Sequence, residues 1–449
     1  MRVSLGVVSL IGVLFSGGAL AEPRAGDPRA GEPVDVVVIR CGALLADPGE
    51  APRASAVIVV EGGIIRAVGG ADLQIPQNAQ IIDLSDQFVM PGMIDCHVHL
   101  SMEFTPDVRL RALQESDADR AFSAMANAQK TLLAGFTTVR DVGSKGDALF
   151  ALRDAIDAGR VHGPRILASG EAVTPTGGHG DDSNGFRDDL FDQPTPMDGV
   201  ADGADACRAA VRNQVKRGAD CIKLTATGGV LSNIGAGTEL QMFDDELRAI
   251  VETSHLLGKR VASHAHGSRG IKAAVRAGVD SIEHGTFLDD EGIALMKERG
   301  TFLVPTIIAG KTVERNAGVA GYYPAPVAAK ARTVGPVIQE AFGRAYKGGV
   351  RIAFGTDAGV CAHGINAQEF VYMTEAGMPN AEAIASATVG AAELCGFAET
   401  IGRIRPGMAA DIIATSESPL ADITALQRVT FVMRDGRVVK MAGESLLKP

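Results

Sequence analysis

Val89-Met90-Pro91-Gly92-Met93-Ile94-Asp95-Cys96-His97-Val98-His99-Leu100 is an apolar run that ends on two histidines one residue apart. In a strand, alternate side chains share a face, so His97 and His99 point the same way. Two imidazoles on one face can grip a single metal ion. Core packing is the ordinary alternative for a lone His-x-His. The rest of the chain gives the pair weight. Polar groups recur in later apolar segments, where they are costly unless satisfied.

Downstream, one unit repeats: a short apolar strand, a loop, then a helix that stops near a glycine. The predicted strands are Met93–Leu100, Thr137–Val142, Arg165–Ser169, Cys221–Thr225, Arg260–His266, Ser281–Gly285, Phe302–Thr306 and Arg351–Thr356. Gly135, Gly159, Gly218, Gly258, Gly278, Gly300 and Gly348 mark helix ends. Ile271 to Ala277 shows amphipathic helical spacing. Eight alternating units imply an α/β fold, a (β/α)8 TIM barrel spanning 91–401. A doubly wound open sheet is the alternative, because periodicity does not prove closure. The loops Glu171–Val200, Ala226–Phe243 and Ile307–Val327 are longer than linkage needs. All follow strands, at the rim where barrels keep their sites.

Both flanks read as β. Val36 to Ile39 is a strand, and Ala56–Val60 and Ile64–Val68 make a hairpin across Gly62-Gly63. Ala410–Ala414 is a strand near the other end, and a second hairpin turns at Asp435-Gly436. Neither set suffices for a stable sheet alone. Pairing of 36–90 with 402–449 into one small β-sandwich domain is the expectation, with two separate flaps as the alternative. Residues 1–21 have a signal peptide's layout: Arg2, an apolar stretch, then Ala19-Leu20-Ala21 as a cleavage pattern. Residues 22–35 repeat a Pro-Arg-Ala-Gly-acidic unit and read as a flexible tether. The chain is therefore expected to be exported, periplasmic or secreted, without stable membrane insertion.

Composition narrows the function. The 449 residues carry a net charge of -11, with no Lys/Arg cluster, which argues against a nucleic-acid partner. Tryptophan is absent and aromatics are 4%, so stacking platforms are not expected. The six cysteines form no C-x-x-C pair. There is no G-x-S-x-G elbow and no P-loop, and the glycines of Gly235-Ala236-Gly237 lack the third of a dinucleotide loop.

The chemistry-bearing residues fall in or at the ends of predicted strands: Lys223 in the fourth, His264 and His266 in the fifth, His284 in the sixth, and Asp357 after the eighth. In a closed barrel those ends converge, and with His97 and His99 they make a plausible nitrogen and oxygen metal set. Each alone has a bland reading: a hydrogen-bonded structural histidine, a paired buried lysine, an aspartate capping the next helix.

This order of His-x-His, Lys, His, His and Asp on βα units resembles the metal-dependent amidohydrolase superfamily. The phrases Pro91 to His99, Gly135-Phe136-Thr137-Thr138-Val139-Arg140-Asp141 and Phe354-Gly355-Thr356-Asp357-Ala358-Gly359 resemble its imidazolonepropionase-like branch. That branch includes prolidase-like dipeptidases, carboxypeptidase-like enzymes and ochratoxin-hydrolysing amidohydrolases. The resemblance implies two divalent metal ions, with zinc expected. His97, His99 and Asp357 would hold one ion, His264 and His284 the other, and a carbamylated Lys223 would bridge them. It further implies a metal-bridging hydroxide as nucleophile, with Asp357 as general base. His266 and His179, the latter in the loop Thr176-Gly177-Gly178-His179-Gly180, are candidates for holding substrate, with ordinary hydrogen bonding as the alternative. The expected reaction is hydrolysis of dipeptides or N-acyl amino acids, ochratoxin-like aryl amides included. A cyclic-amide or lactone hydrolase with the same metals is the alternative, and a non-catalytic binding barrel a more remote one. A small-molecule substrate and a homo-oligomer complete the expectation.

Overall fold

The computed structural model describes residues 36–190, 192–233 and 237–447. The predicted signal peptide and tether lie outside them. Strands Met93–Val98, Phe136–Asp141 and Arg165–Ala168 form one parallel sheet in chain order. Strands Ile222–Thr225, Val261–Ala265, Ser281–His284, Phe302–Val304 and Arg351–Ile352 form a second, also parallel and in chain order. Backbone hydrogen bonds run between the two sheets at both margins. At one, Cys96 N donates to Phe354 O at 2.9 Å and Asp357 N to His97 O at 2.7 Å. At the other, Val173 N donates to Lys223 O at 2.8 Å and Thr225 N to Val173 O at 3.0 Å.

The sequence locates every one of these strands and overruns several carboxyl ends. Phe302–Thr306 stops at Val304, and Arg351–Thr356 at Ile352. Thr306, inside the predicted seventh strand, adopts φ of 53°, a left-handed turn that a strand cannot contain.

Helices pack outside the strands. Asp117–Leu133 starts on a capping box in which the Ser116 side chain accepts from Asp119 N and the Asp119 carboxylate accepts from Ser116 N. Gly218, Gly278 and Gly300 end their helices left-handed, as the sequence predicts. At Gly348 the left-handed residue is instead the next one, Gly349. The loop expected over Ile307–Val327 is mostly helical, with Ile307–Ala317 and the start of Ala325–Val334. The Glu369 carboxylate accepts the first two N–H groups of that helix, from Ile307 at 2.8 Å and Ile308 at 2.7 Å. A cap supplied from so far along the chain leaves no local trace.

Strands from both chain ends share one nine-stranded sheet, joined where Ile412–Thr415 pairs antiparallel with Gln80–Pro91. The sheet curls over Ile39, Ile58, Ile65, Leu84, Ile412 and Phe431. It curls far enough that a Cβ on Gly63 would stand 2.8 Å from Asp435 O in the opposite hairpin turn. Arg165 ties this sheet to the parallel strands, donating to Asp411 at 2.6 Å and Thr138 Oγ1 at 2.9 Å, and to Asp435. No helix among the described residues is long and apolar enough to cross a membrane.

Candidate metal centre

His97, His99, His179, Lys223, His264, His266, His284 and Asp357 all line one cavity of about 610 Å³. Two trios stand out within it. His97, His99 and Asp357 each present a ligand atom within 4.8 Å of the others, and so do His264, His266 and His284. The trios adjoin: the His97 and His284 rings lie 5.0 Å apart, centroid to centroid. Lys223 sits on the fourth parallel strand, in register with Ala262 and two residues before His264's partner Thr225. The second trio contains His266, whose ring lies 4.7 Å from His264 and 4.9 Å from His284. His266, expected from the sequence as a substrate contact, thus also stands where it could ligate.

Each imidazole is oriented by a hydrogen bond at one nitrogen, which leaves the other available. His99 Nδ1 donates to Gly143 O at 2.8 Å, and a carbonyl can only accept, so Nε2 carries the lone pair. His97 Nδ1 is held by Glu283 at 2.8 Å, His266 Nδ1 by Thr286 Oγ1 at 2.8 Å, and His284 Nδ1 by Thr306 Oγ1 at 2.7 Å. His264 is reversed, with Nε2 3.3 Å from Gly228 O. The backbone is strained to make this arrangement. His284, Thr306 and Asp357 all have positive φ, at about 1–3 kcal/mol each, the kind of strain that collects at functional sites.

Electrostatics favour a cation. Burial pushes His97 down to about 4 and His179 and His266 down to about 3, and holds His264 and His284 well below the usual histidine range. Those imidazoles are neutral at pH 7, the form that ligates. For His99, burial works downward but the Asp357 carboxylate outweighs it and the net shift is up. Burial also opposes charge on Asp357, yet the surrounding His97, His99 and Lys223 keep its carboxyl below the usual range. Lys223 is pushed down to about 8, chiefly by burial. Asp357 Oδ1 is buried and accepts no hydrogen bond, though it lies 3.3 Å from His99 Nε2 and 3.6 Å from His97 Nε2. The repulsion between this anion and the ring lone pairs is relieved by a positive charge among them, a proton on His99 or a metal ion. The donor set therefore fits metal.

His179 reaches this centre from the loop after the third parallel strand. Its ring lies against His264 at 4.1 Å between centroids, and its Nδ1 meets Ser232 Oγ at 3.2 Å. Gly229 packs so closely that a Cβ there would be 2.2 Å from the His179 ring. Three supporting acids escape a search for ligands. Asp95 accepts from Thr356 and Asn366 and from His97 N, Asp141 accepts from Leu100 N and Ser144, and Glu283 holds His97. Their one sequence signal is adjacency: each lies within two residues of a candidate ligand, or in a phrase that carries the resemblance.

Neutral imidazoles, a buried carboxylate and a buried lysine at the strand ends of a parallel α/β fold are the equipment of a metal-dependent hydrolase. The chain belongs to the Amidohydrolase family, whose model matches residues 88–439. Ochratoxinase of Aspergillus niger is 33% identical over 439 residues, covering 91% of this chain and 87% of the relative. A Xaa-Pro dipeptidase solved with methionine in its active site is 42% identical, with a TM-score of 0.87 over 90% of this chain and 100% of that one. A prolidase solved with N-methylphosphonate-L-proline is 33% identical, with a TM-score of 0.83 over 90% of this chain and 100% of that one. The protein is accordingly a hydrolase acting on amide bonds.

Proposed function

We propose that the protein is an exported binuclear metallohydrolase that cuts the amide bond of dipeptides or N-acyl amino acids and releases the C-terminal amino acid. Ochratoxin-type aryl amides fall within this range. The observation that carries the reading is the pair of adjoining trios in one cavity, His97, His99 and Asp357 beside His264, His266 and His284.

His97, His99 and Asp357 would hold one ion, His264 and His284 the other, with zinc the expected metal. Lys223 would join them as a carbamate. Its ammonium, pushed down to about 8, leaves a neutral fraction that can react with carbon dioxide; the new N–C bond forms as the nitrogen loses its proton. When bound, the ions polarise the scissile carbonyl and lower the pKa of water. The buried Asp357 carboxylate would accept the water proton and return it to the leaving nitrogen. His266 and His179 hold the carbonyl or carboxylate end of the substrate. Val230, Val313, Val360, Phe104 and Tyr323 form an apolar wall on the same cavity, which suits an apolar side chain.

The backbone bonds at both margins of the parallel strands support a closed eight-stranded barrel over 91–401. The shared sheet supports a composite domain from 36–90 and 402–449. The reading requires about two metal ions per folded chain. Elemental analysis should find them, and chelation should remove them together with amino-acid release from a panel of dipeptides and N-acyl amino acids. Hydrolysis that survives complete chelation would refute it.

A further inference from the structure

The interior beneath the first trio holds a charged pair that the proposed reaction does not use. Arg140 and Glu283 are both fully buried, their side chains 2% and 0% exposed. Arg140 Nε donates to Cys96 O at 2.6 Å, Nη1 to Ser281 Oγ at 3.1 Å and Nη2 to Glu283 Oε1 at 2.9 Å. Ser281 Oγ also donates to Glu283 Oε1. The other carboxylate oxygen, Oε2, meets His97 Nδ1 at 2.8 Å. The chain of bonds thus runs Arg140, Glu283, His97, and ends 3.6 Å from Asp357 Oδ1 at His97 Nε2.

Stability alone does not explain the pair. Removing two charges from water is costly, and apolar residues of the same volume commonly serve as well. The chemistry of a ligand does explain it. A carboxylate on Nδ1–H fixes the imidazole tautomer, aims the Nε2 lone pair, and makes that nitrogen a stronger donor to a metal. The hydrogen-bond partners of His99, His266 and His284 are a backbone carbonyl and two threonine hydroxyls, all neutral. Among the described residues of the site, His97 is the imidazole whose Nδ1 meets an acid.

We propose that Glu283, clamped by Arg140, is the positioning residue that fixes His97 for metal binding, so that the ion at His97, His99 and Asp357 depends on it and the second ion does not. This rests on the binuclear reading above. The test is a zinc titration against a competing chelator on the parent, on Glu283→Gln and on the double variant Arg140→Met/Glu283→Gln. The single variant keeps an acceptor for His97 but strands a buried arginine. The double variant removes both charges at similar volume, so it carries the comparison if the single one fails to fold.

One of the two zinc sites should weaken by about 10–100-fold while the other keeps its parental affinity. With zinc saturating, KM should match the parent. Two outcomes would overturn the inference: both sites retained at parental affinity in a folded variant, or both weakened alike, as general loosening would do. A parent chain that binds no zinc would sink the binuclear reading itself, a result distinct from either.

Discussion

Gly229→Ala would move His179 without altering it. The new Cβ would stand 2.2 Å from Cε1, 2.3 Å from Nδ1 and 2.5 Å from Nε2 of the ring. Carbon contacts settle at about 3.5–4.0 Å, so the ring must retreat by more than about 1 Å. It has little freedom to do so, with His264 at 4.1 Å on one face and Ser232 holding Nδ1. Gly229 itself is not left-handed, so its backbone accepts alanine. Overpacking of this kind costs about 1–3 kcal/mol. If His179 holds substrate, a displacement near 1 Å should lower turnover by about 10²-fold. The assay is urea unfolding and dipeptide kinetics on Gly229→Ala, His179→Ala and the double variant. With alanine at 179 the clash disappears, so the stability cost of Gly229→Ala should vanish, a coupling of about 1–3 kcal/mol. Parental turnover in Gly229→Ala, or an equal stability cost in both backgrounds, would show that this crowding does not position His179.

Further outcomes follow from other contacts. Asp357→Asn should reduce turnover by at least about 10²–10⁴-fold, with its melting transition retained; an active variant would remove Asp357 from proton transfer. Arg165→Met should destabilise by about 3–5 kcal/mol in urea, because Asp411, 3% exposed, loses its charged partner and keeps only the Asp435 N–H; a change below about 1 kcal/mol would class the bond with weak surface pairs. Asp289 caps the helix Asp290–Arg299, and despite some burial its bonds from Ser268, Gly292 N and Lys272 hold its carboxyl down to about 2, against 3.8 unperturbed. A depressed folded value contributes stability fully above the unfolded one, and that contribution is lost as pH falls from about 4 toward 2. Asp289→Asn should therefore flatten melting temperature against pH in that window; an unchanged acid limb would count against it.

The sequence made the strands and the clustered histidines legible because both follow short rules. Period-two patterning located His97 and His99 on one face, and helix-end glycines such as Gly218 and Gly278 marked the repeat. What stayed hidden depends on distant partners. The helix at Ile307 is capped by Glu369, and Glu283 acquires meaning only beside His97 and Arg140. The end of the seventh strand was misjudged at Thr306 because left-handed backbone at a β-branched residue runs against local propensity and is held by tertiary structure.

The antiparallel seam between Gln80–Pro91 and Ile412–Thr415 sets the order of assembly. During synthesis, an early strand must wait with an open edge until almost the entire chain has emerged. Such unpaired edges invite strand addition by other chains. Pairing across so long a loop is slow. Ribosome-bound or truncated chains ending before Ile412 would therefore be the aggregation-prone species, and a holdase that shields that edge would raise the yield of native protein.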